Sequence, residues 1–220
     1  MNSLTISDLG TRVRSWCQTL GVPSKQNVKL RRSVLLVLDM QNDFVGPTGQ
    51  LPVWGGPAII PCLARMVRAF RAAGHLVLFT RHLCIEPHKH AKQIGVMKHI
   101  RNIDTFLRDG EPGAEICTPL RPRPRDQLIV KYRYSAFFDT GLDTLLRIHQ
   151  VQDVVVTGVA TNICCQATAQ DAFFRSYNVL FPVDGNGGLD EASHLAAMKT
   201  IALAYARLCL TADVLAGLKR

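Results

Sequence analysis

An aspartate, a lysine and a cysteine each follow an apolar run in this chain, and the three types together could do nucleophilic chemistry. Asp39 stands directly after Ser33–Leu38 (SVLLVL), Lys131 directly after Gln127–Val130 (QLIV), and Cys164 a short turn after Val154-Val155-Val156. The cysteine lies where a helix is expected to begin, Ile163 to Tyr177, near unpaired backbone N–H groups and the positive end of the helix dipole. Both favour thiolate over thiol. A lysine beside it could stabilise the thiolate and the carboxylate of Asp39. That carboxylate could take the thiol proton and return it to a leaving amine, as base and then as acid. Groups that interact so closely would titrate as a set. Backbone N–H groups of the Gly158–Cys164 turn could receive an oxyanion, a contribution of roughly 3 kcal/mol for one donor. Each residue alone has a plainer reading: a carboxylate capping a turn, a solvated lysine, a buried thiol. Placed at one sheet edge they are harder to dismiss, because buried aspartates and lysines are normally paired.

The elements that must position them alternate. Ser33–Leu38 reads as a strand covered on both faces, as in parallel sheets. A loop rich in Gly and Pro follows, then a helix from Gly55-Gly56-Pro57 to about Ala73, with Ile60, Leu63, Ala64, Val67 and Phe70 as its buried stripe and Gly74 ending it. His75–Thr80 is the second strand. Residues 81–126 are irregular, with one or two short helices expected around Ile94 to Leu107. Gln127–Val130 is the third strand, and Thr140 caps a helix to Ile148. Val154–Val156 and Val179–Phe181 are the fourth and fifth strands, Asp190 to about Ala206 a helix, Arg207–Leu210 a sixth strand, and Ala212 starts a terminal helical turn. Such alternation predicts a three-layer α/β/α sandwich with a six-stranded parallel sheet, whose ligands bind outside the carboxyl ends of the strands. Residues 1–32 are read as an extension carrying a short amphipathic helix (Leu9, Val13, Trp16, Cys17, Leu20, with Ser7 as N-cap), or alternatively as a transit segment. Residues 33–220 form the main domain.

Composition narrows the classes. The length of 220 residues suits one domain, and no apolar run approaches the roughly 18 residues of a membrane span. Seven scattered cysteines without a CxxC pair make a poor disulfide framework or zinc site, which favours a reducing, cytoplasmic setting. The net charge of +9 admits anionic partners, yet the basic residues are dispersed and not interleaved with aromatics, so nucleic acid is not expected as a partner, nor a membrane.

The pattern Asp39-x-Gln41-x-x-Phe44, then Lys131-x-Arg-Tyr-Ser-Ala-Phe137, then Thr157-Gly-Val-Ala-Thr-Asn-Ile-Cys164 with Thr168 and Asp171-Ala172 behind it, resembles the isochorismatase-like cysteine hydrolases. The resemblance runs from about Leu30 to the C-terminus. It implies strand order 3-2-1-4-5-6, an Asp39–Lys131–Cys164 triad, a cis peptide between Val159 and Ala160, and an oxyanion hole from the N–H groups of Ala160 and Cys164. It also implies that Cys164 is the nucleophile and that Cys165, where the family usually has valine, points into the core.

Metal-bearing nicotinamidases of this family use an Asp-x-His element after the second strand. Here Thr80-Arg81-His82 lacks the aspartate, and His88 and His90 are weak ligand candidates. No metal and no cofactor are therefore expected. An intact triad argues for amide rather than vinyl-ether chemistry. The resemblance is closest to the branch acting on ureidoacrylate, N-carbamoyl compounds and biuret, so a small amide or ureide is the expected substrate, with ammonia released. Gln41, Phe44, Trp54, Tyr134 and Phe137 are the expected pocket residues, and Arg81, Arg133 or His82 could meet a substrate carboxylate. A homodimer or homotetramer is expected from the family. The alternatives are a metal-assisted nicotinamidase, an isochorismatase, and a non-catalytic homologue.

Overall fold

The computed structural model describes residues 4–84 and 100–218. Its core is a wholly parallel sheet of β1 (Ser33–Leu38), β2 (Leu76–His82), β3 (Gln127–Lys131), β4 (Asp153–Val159), β5 (Asn178–Pro182) and β7 (Arg207–Cys209). The strands lie in the order β3-β2-β1-β4-β5-β7, and a two-residue strand, β6 (Asn186–Gly187), pairs beside the end of β4. The expected six-strand order is present, with β6 as an addition too short to register in a hydropathy pattern. Every residue of β1 and β4 is buried. Successive strand side chains point to opposite faces, so burial of all of them requires layers on both sides. α3 (Gly56–Ala72) packs across β1, β2 and β4, and α5 (Gln166–Phe174) across β4 and β5.

The strand order reverses between β1 and β4, which makes the carboxyl edge there a crevice. Register then decides what lines it. Leu38 pairs with Gly158 and His82 with Lys131, so Asp39, His82, Lys131 and the turn after Val159 emerge along one edge. Close approach at Gly158 needs glycine: its φ is +116°, and a Cβ would collide with the Leu38 carbonyl.

Several expected boundaries move, each for a local reason. α1 spans Ile6–Leu20 and is capped by Thr5 rather than Ser7, because the Thr5 hydroxyl accepts the Asp8 N–H. The stripe of α3 is rotated slightly: Ile60 and Ala64 are only partly covered, whereas Ala58, Ile59 and Met66 are buried beside Leu63, Val67 and Phe70. α4 (Leu142–Ile148) begins after Gly141, although the Thr140 hydroxyl does accept the Leu142 N–H at 3.2 Å. A four-residue helix, α2 (Asn42–Val45), precedes the Gly- and Pro-rich loop. The helix expected from Ile163 to Tyr177 is two pieces, a π-helical turn Thr161–Cys165 followed by α5. Of the helices expected around Ile94 to Leu107, residues 94–99 lie outside the described residues, and 100–107 form turns. α6 (Glu191–Ala204), with Asp190 as its N-cap, and α7 (Thr211–Gly217) close the chain.

α1 is tied firmly to the body. Trp16 is buried against His194, with ring centroids 4.6 Å apart, and its indole N–H donates to Glu191 at 2.8 Å. Among the described residues, no helix is long and apolar enough to cross a membrane.

Candidate active site

Asp39 is the first residue past β1 and adopts φ 51°, a left-handed conformation that aspartate tolerates better than most residues. Thr80 of β2 holds it at both ends: the Thr80 hydroxyl donates to Asp39 Oδ1 at 2.6 Å and accepts the Asp39 N–H at 3.1 Å. The other oxygen, Oδ2, lies 2.7 Å from Lys131 Nζ, and both side chains are completely buried. That oxygen makes no well-aligned hydrogen bond, so it keeps acceptor capacity on a fully desolvated carboxylate.

Lys131 ends β3 and gathers the site around its ammonium. Nζ lies 3.4 Å from Cys164 Sγ, 3.0 Å from His82 Nδ1 and 3.2 Å from the Arg133 carbonyl, in addition to Asp39. The segment after β3 is pinned to α5, since Ser135 Oγ donates to Asp171 at 2.5 Å and the Ala136 N–H donates to Thr168 Oγ1 at 3.0 Å. This brace fixes the lysine strand against the helix that follows Cys164.

Cys164 lies in the π-turn, not at an α-helix N-terminus. The Val159–Ala160 bond is cis, and the Ala160 carbonyl accepts N–H groups from Ile163 and Cys165 at 3.0 and 3.2 Å. Cys165 is fully buried within the hydrophobic core, while Cys164 borders the pocket.

Burial governs the protonation states. It raises the Asp39 carboxyl, but the adjacent Lys131 ammonium and the Thr80 hydroxyl outweigh it, and the net shift is downward. Burial disfavours the Lys131 ammonium, and Asp39 and Cys164 outweigh that too, so its pKa rises. Burial pushes the Cys164 thiol far above its usual range despite the attraction of Lys131. The resting site is therefore an Asp39–Lys131 ion pair facing a protonated thiol, and the thiol needs a base. His82 is depressed to about 4, first by burial and then by Lys131, and is a neutral imidazole.

A pocket opens over the sulfur. Val159, Ala160, Ile163 and Cys164 line it together with Phe44, Leu51, Val53, Leu189, Phe106, Leu107, His82 and Tyr134. The wall is almost wholly apolar. Of the expected pocket residues, Phe44 and Tyr134 are in it. Gln41 is not: it is fully buried, donates to the carbonyls of His82 and Ala114 and accepts the His82 N–H, so it fastens two loops together. Trp54 packs near Trp16 of α1, 6.2 Å between rings, and its carbonyl accepts the Leu4 N–H. Phe137 stacks on Tyr177 with the Arg175 guanidinium 4.9 Å from its ring centre. Arg81 is spent on Asp109 and Glu115.

Reading the sequence missed the wall supplied by Leu51, Val53, Phe106 and Leu107. What folds these loops is Asp43, a buried carboxylate that accepts N–H groups from Leu107 at 2.9 Å and Gln50 at 3.3 Å. The signal available was a second aspartate four residues after Asp39.

Asp39, His82 and Cys164 each place one donor atom within 4.8 Å of the others, a set that would suit a metal ion by type. The Lys131 ammonium already stands among them, at 2.7, 3.0 and 3.4 Å. A dication would be opposed by that charge, so these residues do not fit a metal centre. His88 and His90 lie outside the described residues.

Comparison with known proteins agrees with this geometry. The family profile described as the isochorismatase domain matches residues 33–213. The chain is 31% identical to nicotinamidase 3 of Arabidopsis thaliana over 186 residues, covering 84% of this chain and 87% of that protein. It is 32% identical to the ureidoacrylate amidohydrolase RutB of Pantoea ananatis over 164 residues, 67% of this chain and 66% of that enzyme. Among solved structures, a cysteine hydrolase from Pseudomonas syringae pv. phaseolicola superposes with a TM-score of 0.76 at 27% identity, covering 90% of this chain and 99% of that one.

Proposed function

The chain belongs to the isochorismatase family of cysteine hydrolases, and on that premise we propose that it hydrolyses the C–N bond of a small amide or ureide through Cys164. The observation that carries this reading is the buried Lys131 ammonium standing 2.7 Å from Asp39 and 3.4 Å from Cys164. Asp39 Oδ2 takes the thiol proton as sulfur attacks the carbonyl carbon. Lys131 holds the charge on both partners throughout. The oxyanion turns toward the N–H groups of Ala160 and Cys164, where one donor contributes on the order of 3 kcal/mol. Protonated Asp39 then delivers its proton to the leaving nitrogen, the C–N bond breaks, and ammonia departs from a thioester. Water, deprotonated by Asp39, attacks the thioester; the C–S bond breaks and the thiol recovers its proton.

The apolar wall supports a substrate whose far end is uncharged where it meets Phe44, Val53 and Ile163. The rings of Phe44, Phe106 and Tyr134 favour a second reading within the same chemistry, a flat aromatic carboxamide such as nicotinamide. An ammonia-release screen over nicotinamide, ureidoacrylate, N-carbamoyl amino acids and biuret tests both. Turnover of at least one, lost in Cys164→Ala, is expected. Silence across the set with a correctly folded protein, or turnover that survives the substitution, counts against the proposal.

A further inference from the structure

His82 is the buried polar side chain at the site that the Asp–Lys–Cys chemistry does not use. It is 7% exposed, its ring borders the pocket, and its Nδ1 lies 3.0 Å from the Lys131 ammonium. An ammonium carries only hydrogens, so a nitrogen facing it at that distance must offer its lone pair. In a neutral ring the proton is then on Nε2. That N–H makes no hydrogen bond to any described residue. With Tyr134 and Cys164 it supplies the side-chain polar atoms of an otherwise apolar described wall.

We propose that His82 is a positioning and specificity-determining residue with a fixed tautomer: Nδ1 anchors the Lys131 ammonium, and Nε2–H donates to an acceptor oxygen or ring nitrogen of the substrate. The inference rests on Cys164 being the nucleophile. Besides its ion pair with Asp39, Lys131 has three hydrogen-bond acceptors, His82 Nδ1, the Arg133 carbonyl and Cys164 Sγ, and His82 is the one side-chain acceptor among them that carries no reacting atom. That contact helps hold the ammonium, already paired with Asp39 at 2.7 Å, at 3.4 Å from the sulfur. The backbone of His82 is fixed too, its N–H donating to Gln41 Oε1 at 2.8 Å and its carbonyl accepting from Gln41 Nε2 at 3.0 Å, so the ring is held from both ends. A donor set in an otherwise apolar wall favours ligands that pair with it, which selects substrates bearing a second acceptor besides the scissile carbonyl.

The test uses alkylation of the intact protein, followed at Cys164 by peptide mass spectrometry across pH, with iodomethane, which has no acceptor, and iodoacetamide, which has one. In His82→Phe both nitrogens are gone. The iodomethane rate is expected to fall about tenfold, the size of one lost hydrogen bond to a charged group, and its pH profile to move to higher pH. In His82→Asn the amide oxygen replaces Nδ1, and most of the iodomethane rate is expected to return. The wild type is expected to prefer iodoacetamide over iodomethane, and both variants to lose that preference. Equal iodomethane rates in the two variants, or an unchanged reagent preference, overturns the inference. Labelling that bypasses Cys164 in the wild type overturns the nucleophile instead, and this inference with it.

Discussion

Cys164 and Cys165 are neighbours in the chain with opposite surroundings. Both are buried and both thiols are pushed upward by burial, yet one faces Lys131, Asp39 and the pocket while the other sits in the core. The difference comes from the turn Thr161–Cys165, whose one-residue step sends successive side chains to different sides. On the polar side, three ionisable or nucleophilic groups are kept from water by a sheet edge. On the apolar side, Cys165 packs as a small hydrophobe would. Burial by itself does not make a cysteine inert or reactive; what shares the burial decides.

The polar side is where substitutions should be felt most. Asp39→Asn removes the proton acceptor, and ammonia release from any accepted substrate is expected to fall on the order of a thousandfold. A variant retaining a tenth of wild-type turnover would mean another base operates. Lys131→Met leaves Asp39 buried without its cation. Urea denaturation should then report a loss of about 3–5 kcal/mol, partly recovered in the Lys131→Met/Asp39→Asn double variant. If the single and double variants are equally unstable, the pair is not the source.

Two buried histidines extend the comparison to acid. His82 at the pocket and His194 behind the nucleophile turn, its Nδ1 2.9 Å from Thr161 Oγ1, both have folded values of about 4, well under the unfolded value. Between roughly pH 6.5 and 4 the unfolded chain holds protons that the folded chain refuses, so stability falls as pH drops through that window. Each histidine contributes a loss of roughly 3 kcal/mol over it. Asp39, with its pKa lowered, adds a further loss only below the ordinary carboxylate range. His194→Asn should about halve the slope of urea midpoint against pH. A slope that does not change shows that His194 is not one of the groups that charge on unfolding. The smallest effect belongs to the apolar side: Cys165→Ala should cost about 1 kcal/mol of stability, read in the same urea titration. A loss of 3 kcal/mol or more would give Cys165 work that its packing does not show.

How far these features were legible in the sequence follows from what kind of signal each left. β1 was readable to the residue, because six apolar side chains in a row followed by Asp39 have few other solutions. That Asp39, Lys131 and Cys164 come together was legible because each sits immediately beyond such a run or turn. The pocket lining was legible only at Phe44 and Tyr134. Side-chain type suggested Phe44 and Tyr134 along with Gln41, Trp54 and Phe137, but type does not say which way a side chain faces. Gln41 was drawn off by backbone carbonyls, Trp54 by α1, and Phe137 by Tyr177. Phe106 and Leu107 were hidden because they reach the pocket only through loops organised by the buried Asp43. The π-turn was hidden because its apolar spacing does not differ from that of the helix it leads into.

The most direct test of the account compares the two neighbouring thiols. Cys164→Ala and Cys165→Val are assayed side by side for ammonia release and for alkylation mapped by mass spectrometry. The account predicts that Cys164→Ala abolishes turnover and removes the rapid label, while Cys165→Val keeps turnover within about twofold, as expected of a volume-conserving core change. Equal activity in the two variants would contradict it.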